Sequence, residues 1–193
     1  MRLGRAARRQ LAELIAAATS LKGDFFRSVA FRYLHPDDVI SGEGTRLNGG
    51  RFVPAGVRAV YASLEEETAL REVTVRKSAL GGRDQIDVGE YPRRTYILSV
   101  ATHRNLDLAA TLPPELANVV RLCLLGPSFS ASQELAAIWI AVGIDSVVFP
   151  SATGTGRNVA IYLANAADGG VVVRNRDEVL AALRRRRLRH RCR

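Results

Sequence analysis

The side chains best suited to chemistry lie close together in residues 44–72. Arg51 carries a planar fork of donors that matches a phosphate or a carboxylate better than a lysine would. It follows Gly50, where the missing side chain lets a ligand approach the main chain directly. Tyr61 adds a ring with a hydroxyl, and Glu72 adds a carboxylate. These residue types favour a site for a ligand that carries a phosphate or a carboxylate.

Two predicted elements would position these residues. Residues 57–62 combine β-branched and aromatic side chains between Gly56 and Ser63, which predicts a strand. Ser63 and Glu66 have the spacing of a capping box, so a helix is predicted to begin at Ser63. Glu72 falls on one face of that helix among small apolar neighbours. The alternative from spacing alone is a surface carboxylate that pairs with a neighbouring arginine.

Two further candidates belong to other predicted strands. Residues 29–34 alternate as a strand, with Arg32 on a face that also carries apolar residues. From spacing alone, Arg32 could equally be an edge-strand side chain that extends into water. Residues 145–149 form a continuous apolar run, which predicts a buried strand that delivers Ser151 to a cleft at its end. The alternative for Ser151 is a hydroxyl that only shapes a turn.

Several runs of the chain resemble the RES domain, a bacterial toxin family named for arginine, glutamate and serine. The runs are Gly49-Gly50-Arg51-Phe52, Val60-Tyr61-Ala62-Ser63, Thr68-Ala69-Leu70-Arg71-Glu72, and Pro150-Ser151-Ala152 followed by a glycine loop and Arg157-Asn158. The resemblance covers about residues 25–165. It assigns the opening-strand arginine of the family to Arg32, the glutamate to Glu72 and the serine to Ser151.

The resemblance implies an α+β fold, in a single compact domain like that of the ADP-ribosyltransferases, with a mixed β-sheet core and flanking helices. It implies the toxin of a type II toxin–antitoxin system that depletes cellular NAD, with NAD as substrate and no separate cofactor. The implied partner is an Xre-like antitoxin with a helix-turn-helix DNA-binding part, and a homodimer within that complex is a further expectation. Phe52 and Val53 stand where the family often has tryptophan and asparagine, a departure that concerns substrate fit more than fold.

The residue types fit cleavage of the nicotinamide–ribose bond of NAD, which builds positive charge on the ribose as glycoside hydrolysis does. Glu72 would stabilise that charge, while Arg32 and Arg51 would hold the pyrophosphate. Tyr61 could stack on nicotinamide, and Ser151 could bond the ribose or orient Glu72. The acceptor is open between water, inorganic phosphate and a protein side chain. The predicted catalytic residues are Glu72, Arg32 and Ser151, and the predicted substrate-binding residues are Arg51, Tyr61, Gly50 and Asn158.

Positive charge is concentrated at the two ends of the chain. The net charge is +9 over 193 residues, with four arginines in residues 1–9, seven in residues 184–193 and no acidic residue in either end. Without these eleven charges, residues 10–183 carry −2. Direct nucleic-acid binding is therefore expected only through the arginine tail, which could equally be a solvated end. A basic nucleic-acid-binding module and a protein ADP-ribosyltransferase are the alternative functions.

The chain is predicted to hold one domain with two appended ends. Apolar residues repeat at helical spacing through residues 2–18, and Gly23 is predicted to break that helix. The division is an N-terminal helical extension (1–22), a RES-like catalytic domain (23–183) and an arginine-rich tail (184–193). No apolar run approaches the roughly 20 residues of a membrane span, and no secretory signal is present, so a cytoplasmic location without membrane contact is expected.

Other patterns predict two helices and a turn, and they argue against a metal site and a dinucleotide-binding site. Helices are predicted over residues 113–125 and 132–142, with Trp139 in the core, and a turn is predicted at residues 35–38. The two cysteines and three histidines match no ligand spacing, so no metal is predicted. A glycine run at residues 154–156 begins like a dinucleotide fingerprint, but Val159 stands where its third glycine belongs.

Overall fold

A computed structural model describes residues 3–30, 35–79, 93–126 and 128–181. The helices in these ranges include α1 (Arg5–Ala16), α2 (Pro36–Ile40), α3 (Glu43–Asn48), α4 (Glu66–Ala79), α5 (Pro114–Leu125) and α6 (Ser130–Ala141). The strands include β1 (Thr19–Ala30), β2 (Ala59–Ser63), β3 (Arg93–Asp107), β4 (Ser146–Pro150), β5 (Arg157–Tyr162) and β6 (Val171–Val173).

The strands form one sheet in the order β1–β2–β5–β4–β3–β6, and β1 also pairs with β3. This extra pairing closes the sheet on itself through β1. Within the described residues, β1 pairs with β3 along its length but with β2 only at Phe26 and Ser63. The β3–β4 pair is parallel and the other pairs are antiparallel. A mixed sheet with flanking helices confirms the predicted α+β single-domain fold.

Alternation along the strands separates two cores, because successive side chains point to opposite faces of a sheet. The first core is built mainly by the strands and includes Phe25, Val60, Leu98, Val148, Val159 and Val173. The second core lies between the opposite face of β2, β5 and β4 and the helices, and includes Ala59, Val147, Ala160, Leu116, Leu135 and Trp139. Tyr61 packs against this second core, so the helix-covered face of β2 carries the predicted site tyrosine.

Helix α1 docks on the body through its apolar stripe, where Ala7 and Leu11 are buried. Gln10 on the same helix adds a polar contact, because its Oε1 accepts a hydrogen bond from the backbone N–H of Leu116 in α5 at 2.9 Å. That bond satisfies a donor in the first turn of α5, which has no partner within its own helix. The predicted N-terminal helix is thereby confirmed, and it packs on the domain.

The predicted helix break at Gly23 is wrong. The helix ends at Ala16, and β1 begins at Thr19 and continues through Gly23, which pairs with Val100 of β3. Long-range pairing with β3 decides the conformation here, since glycine is tolerated in a strand that a neighbouring strand holds. The division of the chain into extension, catalytic domain and tail stays a prediction.

The predicted turn after residue 34 is replaced by a short helix. Helix α2 begins at Pro36, and His35 caps it by accepting the backbone N–H of Asp37 on its Nδ1 at 3.4 Å. Proline suits a first helical turn because its missing N–H would have no partner there. The predicted helices corresponding to α5 and α6 are confirmed. Trp139 is fully buried in the core, as predicted, and its Nε1 donates to the hydroxyl of Tyr162 at 2.8 Å.

None of the helices in the described ranges has the length and apolar character that crossing a membrane requires. These ranges also hold no group of three or more His, Cys, Asp and Glu side chains placed to bind a metal ion. Cys123 is buried in α5, and burial raises the pKa of its thiol. Residues 31–34, which include the predicted site residue Arg32, and the tail over 184–193 lie outside the described residues.

Candidate functional site

Glu72 lies at the centre of a polar cluster where α4, β5 and the segment after β4 meet. Its Oε1 accepts hydrogen bonds from Ser151 Oγ at 2.6 Å, from Asn158 Nδ2 at 2.6 Å and from the backbone N–H of Ala152 at 3.1 Å. No group within the described residues donates a hydrogen bond to Oε2. Three donors therefore fix the carboxylate in place and leave its second oxygen to a ligand.

Asn158 is oriented so that its amide nitrogen points at Glu72. It lies near the start of β5, opposite Ser63 of β2 and Phe149 of β4. Ser63 Oγ donates to Asn158 Oδ1 at 2.7 Å, which directs Nδ2 toward the carboxylate. The predicted capping box is therefore wrong. Pairing with β5 keeps Ser63 extended as the last residue of β2, its hydroxyl is used by Asn158, and α4 begins only at Glu66.

Ser151 follows β4 directly and is buried. Besides its bond to Glu72, its Oγ hydrogen-bonds with Thr153 Oγ1 at 2.7 Å and accepts the backbone N–H of Thr153 at 3.1 Å. Its backbone N–H donates to the carbonyl of Gly156 at 3.0 Å. The hydroxyl thus does both things that the sequence left open, because it shapes the turn after β4 and also holds Glu72.

Gly50, Arg51 and Tyr61 form a second group. A Cβ atom on Gly50 would lie 2.7 Å from the hydroxyl oxygen of Tyr61, so the tyrosine ring lies directly against the glycine main chain. The Tyr61 hydroxyl donates to the carbonyl of Arg51, and the ring meets Phe149 edge-on with 6.3 Å between centroids. Gly50 is thus required by the packing of Tyr61, whatever ligand the site takes.

The guanidinium of Arg51 is already engaged by the protein. Its Nη1 donates to the carbonyl of Cys123 in the last turn of α5, and the group lies 4.9 Å from the centre of the Phe129 ring. A cation is favourable both at a helix C-terminus and over an aromatic face. Arg51 would therefore have to exchange its contact with Cys123 to present its full fork to a ligand.

The two groups are joined by β2. Tyr61 and Ser63 are two residues apart on that strand, so their side chains point to the same face. Through Ser63, this face reaches Asn158 and then Glu72. The structure therefore brings all the predicted site residues in the described ranges to one side of the β2–β5–β4 sheet. Arg32 lies outside those ranges, and its role stays a prediction.

Arg27 is a candidate that reasoning from the sequence missed. Its Nη1 donates to the carbonyl of Tyr61 at 2.5 Å, while its Nε is buried without a hydrogen-bond partner. No carboxylate in the described residues forms an ion pair with it, and burial lowers the pKa of its guanidinium to about 10. The signal in the sequence is an arginine between Phe25 and Val29 on one face of a strand. It was missed because the strand was predicted to begin only at Val29.

Geometrically, Arg27 fills a gap between β1 and β2. The strands pair at Phe26 and Ser63 and then separate, so the Tyr61 carbonyl receives a guanidinium hydrogen bond instead of a β1 amide. The next exposed position on this edge of β2 is also closed by a side chain, since Thr45 Oγ1 bonds both the N–H and the carbonyl of Ala59. The side chains of Arg27 and Thr45 therefore occupy the edge of β2 that faces β1.

Comparison with known proteins identifies the family of the chain and a solved structure with the same fold. A family model described as "RES domain" matches residues 24–183. Among solved structures, a chain of the M. tuberculosis MbcT–MbcA toxin–antitoxin complex superimposes with a TM-score of 0.68 at 23% identity, covering 87% of this chain and 91% of that chain. A search of curated proteins gave no match. The family match spans every site residue described above, Arg27 included.

Proposed function

The chain belongs to the RES domain family, and we propose that it is the toxin of a toxin–antitoxin pair and that it acts by cleaving NAD between nicotinamide and ribose. The observation that carries this proposal is the hydrogen bonding of the Glu72 carboxylate. Its Oε1 is held by three donors, and its Oε2 has no partner among the described residues. A carboxylate fixed in this way can face a developing positive charge without reorganising during the reaction.

In the proposed reaction, the bond between the ribose C1′ and the nicotinamide nitrogen breaks. The electron pair leaves with nicotinamide, which becomes neutral, and positive charge spreads over C1′ and the ring oxygen of the ribose. Glu72 Oε2 stabilises that charge, directly or through a ribose hydroxyl. An acceptor oxygen then bonds to C1′ and loses its proton. Water and inorganic phosphate can each supply this acceptor oxygen, giving hydrolysis or phosphorolysis.

Glu72 acts as an ionised group in this scheme. Ser151 Oγ, Asn158 Nδ2 and the Ala152 N–H all donate to it, and an ionised carboxylate oxygen accepts such bonds better than a protonated one does. Asn158 is the most constrained donor, because Ser63 fixes its other end. The proposed part of Ser151 and Asn158 is therefore to hold Glu72 in one orientation.

The pyrophosphate of NAD needs cationic donors, and Arg27 fits that need. A buried guanidinium with one carbonyl partner retains unmatched charge and donors, which is costly until an anion supplies both. The family resemblance assigns its defining arginine to Arg32, and Arg27 is a further arginine, within β1. We propose that Arg27 and Arg51 bind the pyrophosphate, and Arg32, which the resemblance names, stays a candidate for the same role.

Tyr61 would place the nicotinamide end of the ligand. Its ring lies between the Gly50 main chain and Phe149, on the face of β2 that leads to Glu72. An aromatic ring in this position can stack on nicotinamide or form the wall against which it packs. The tight contact at Gly50 keeps that ring from turning away, so Gly50 contributes to binding through Tyr61.

The proposed partner is an antitoxin of the Xre-like, helix-turn-helix kind, with a homodimer of the toxin as a further feature of the complex. A cleft that admits NAD must be open on one side, and a short segment from another chain can plug it. An acidic side chain or a terminal carboxylate on that segment would suit Arg27 and Arg51. The similar solved structure is that of a toxin–antitoxin complex, which supports an antitoxin as the partner.

Induced expression in bacteria tests the proposal. The parent chain should stop growth and lower cellular NAD, whereas Glu72→Gln should do neither. Glu66→Gln is the matched control, because Glu66 is an exposed acidic residue in the first turn of the same helix, and it should behave like the parent. Co-expression of the antitoxin should restore growth. Growth arrest with unchanged NAD would contradict NAD cleavage and favour modification of a protein or of nucleic acid.

A further inference from the structure

The segment that carries Ser151 lies along the first turns of α4. This serine loop (residues 151–157) contacts α4 at several places besides Glu72. Glu65, just before the helix, accepts the backbone N–H of Arg157 on its Oε2 at 3.2 Å and the hydroxyl of Thr68 at 3.1 Å. Arg71 adds a bond from Nη1 to Thr155 Oγ1 at 3.2 Å. Both ends of the loop are therefore hydrogen-bonded to side chains in or just before α4. Ser151 and Ala152 bond to Glu72 at one end, and Thr155 and Arg157 bond to Arg71 and Glu65 at the other.

Gly156 shows how close the loop main chain comes to these side chains. A Cβ atom at this position would lie 1.9 Å from Thr68 Oγ1 and 2.9 Å from Glu65 Oε2, and the residue has a φ of +78°. The carbonyl of Gly156 accepts the backbone N–H of Ser151 at 3.0 Å, which closes the loop on itself. A displacement of Gly156 is thereby passed to Ser151, and from Ser151 to Glu72.

We propose that Glu65 is a positioning residue for the active site. By accepting from Arg157 and Thr68, it seats the serine loop on α4, and the seated loop holds Ser151 and Ala152 against Glu72. The proposal rests on the proposed function for its kinetic readout only, since the seating of the loop can be measured without substrate. Glu65 acts here as an acceptor for two neutral donors. A glutamine, which retains an acceptor oxygen, should therefore replace it.

The competing explanation is that Glu65 only stabilises the start of α4, as acidic residues near a helix N-terminus do. Glu66 separates the two explanations, because it lies in the same turn, is exposed and makes no hydrogen bond to the serine loop among the described residues. Loss of its charge would weaken the helix start equally. It would leave the loop seated, so Glu66→Met is the matched control.

The experiment compares the parent chain with Glu65→Met, Glu65→Gln and Glu66→Met. Amide hydrogen exchange of residues 152–157 is measured without substrate, and kcat and KM for NAD are measured separately. Glu65→Met should accelerate exchange in the loop and lower kcat on the order of 10-fold, since small displacements of catalytic groups have effects of that size. KM should change by less than about twofold, because the pyrophosphate contacts are untouched. Glu65→Gln and Glu66→Met should match the parent in both measurements.

Coupling to Ser151 distinguishes positioning from a general loss of structure. In a Ser151→Ala background, Glu65→Met should lower kcat by a smaller factor than in the parent, because one of the two groups that it positions is gone. Parental exchange in Glu65→Met, equal effects from Glu66→Met, or an undiminished effect in the Ser151→Ala background would each overturn the proposal. Should Glu65→Met not fold, Thr68→Val removes one donor to Glu65 and should accelerate exchange to a smaller extent. A parent that folds but leaves NAD intact would refute the proposed function, while exchange would still decide the role of Glu65.

Discussion

Glu72 accepts three hydrogen bonds on one oxygen, so the protein fixes the carboxylate before a ligand arrives. Hydrogen bonds to a charged group contribute about 1.5–3 kcal/mol each, which is enough to hold a single orientation. The donors come from β5, which pairs with β2 and β4, and from the turn that follows β4 directly. Such preorganisation is what electrostatic stabilisation of a cationic transition state requires.

Arg27 is a second single residue whose substitution, by methionine, has a specific predicted effect. Arg27→Met removes the donors assigned to the pyrophosphate, so KM for NAD should rise roughly 10-fold or more. The lost bond to the Tyr61 carbonyl and the removed cost of burying a charge should offset each other, so the free energy of unfolding should change by less than about 1 kcal/mol. Steady-state kinetics and denaturant unfolding measure the two effects.

Arg58→Met is the control for Arg27→Met. Arg58 is exposed and pairs with Glu43 at 3.4 Å, away from β1. This substitution should alter neither KM nor stability, since exposed ion pairs contribute little. A fall in stability of several kcal/mol with unchanged KM in Arg27→Met would show that Arg27 only closes the edge of β2.

At the scale of elements, the serine loop depends on one glycine more than on another. Gly154 and Gly156 both have positive φ, so alanine at either position should cost about 1–2 kcal/mol of stability through backbone strain. A Cβ atom at Gly154 meets open space, whereas at Gly156 it meets Thr68. Gly156→Ala should therefore lower kcat for NAD on the order of 10- to 100-fold, and Gly154→Ala should not. Equal kcat values in the two variants would argue against seating of the loop on α4.

Elements with strong local patterns were predictable, and those set by distant pairing were not. Helices α5 and α6 and strands β2 and β4 have clear periodicity, and all four lie within a few residues of their predicted positions. The start of β1 contains Lys22 and Gly23 and has no such pattern, since its pairing with β3 holds it. Ser63 has the spacing of a helix cap, but its partner Asn158 lies 95 residues away and decides its role.

The site residues illustrate the same limit. Ser151 and Asn158 are 79 and 86 residues from Glu72, so no local spacing could bring them together. Ser151 and Asn158 were identified as site residues from the resemblance to the RES domain family instead. Arg27 was missed because the strand containing it was predicted to begin too late. Glu65 lies inside the predicted capping segment, and only the structure shows that its carboxylate accepts the backbone N–H of Arg157 in the serine loop.

For the whole molecule, the distribution of charge separates catalysis from the basic ends. Residues 10–183 carry −2 of the net +9 and contain every proposed site residue. Deleting residues 184–193, with their seven arginines, should therefore leave kcat and KM for NAD unchanged. Affinity for nonspecific DNA should fall, because such binding follows the number of phosphate contacts. Enzyme kinetics and DNA binding at fixed salt should be measured on the same preparations.

A tail in which the seven arginines are replaced by serine is the matched control, since it retains the length and removes the charge. It should reproduce the deletion in both assays. Loss of NAD cleavage by a folded deletion variant, with activity retained by the serine tail, would mean that the chain beyond residue 183 completes the catalytic unit.

Release of nicotinamide from NAD by the purified chain tests the central claim most directly. The parent should convert NAD to nicotinamide and an ADP-ribose product, with water and then inorganic phosphate offered as acceptor. Glu72→Gln retains the size of the side chain and removes its charge, so its rate should fall on the order of 100-fold or more, with an unfolding transition like that of the parent. Nicotinamide release by folded Glu72→Gln at the parental rate, or none from the folded parent with either acceptor, would contradict the account.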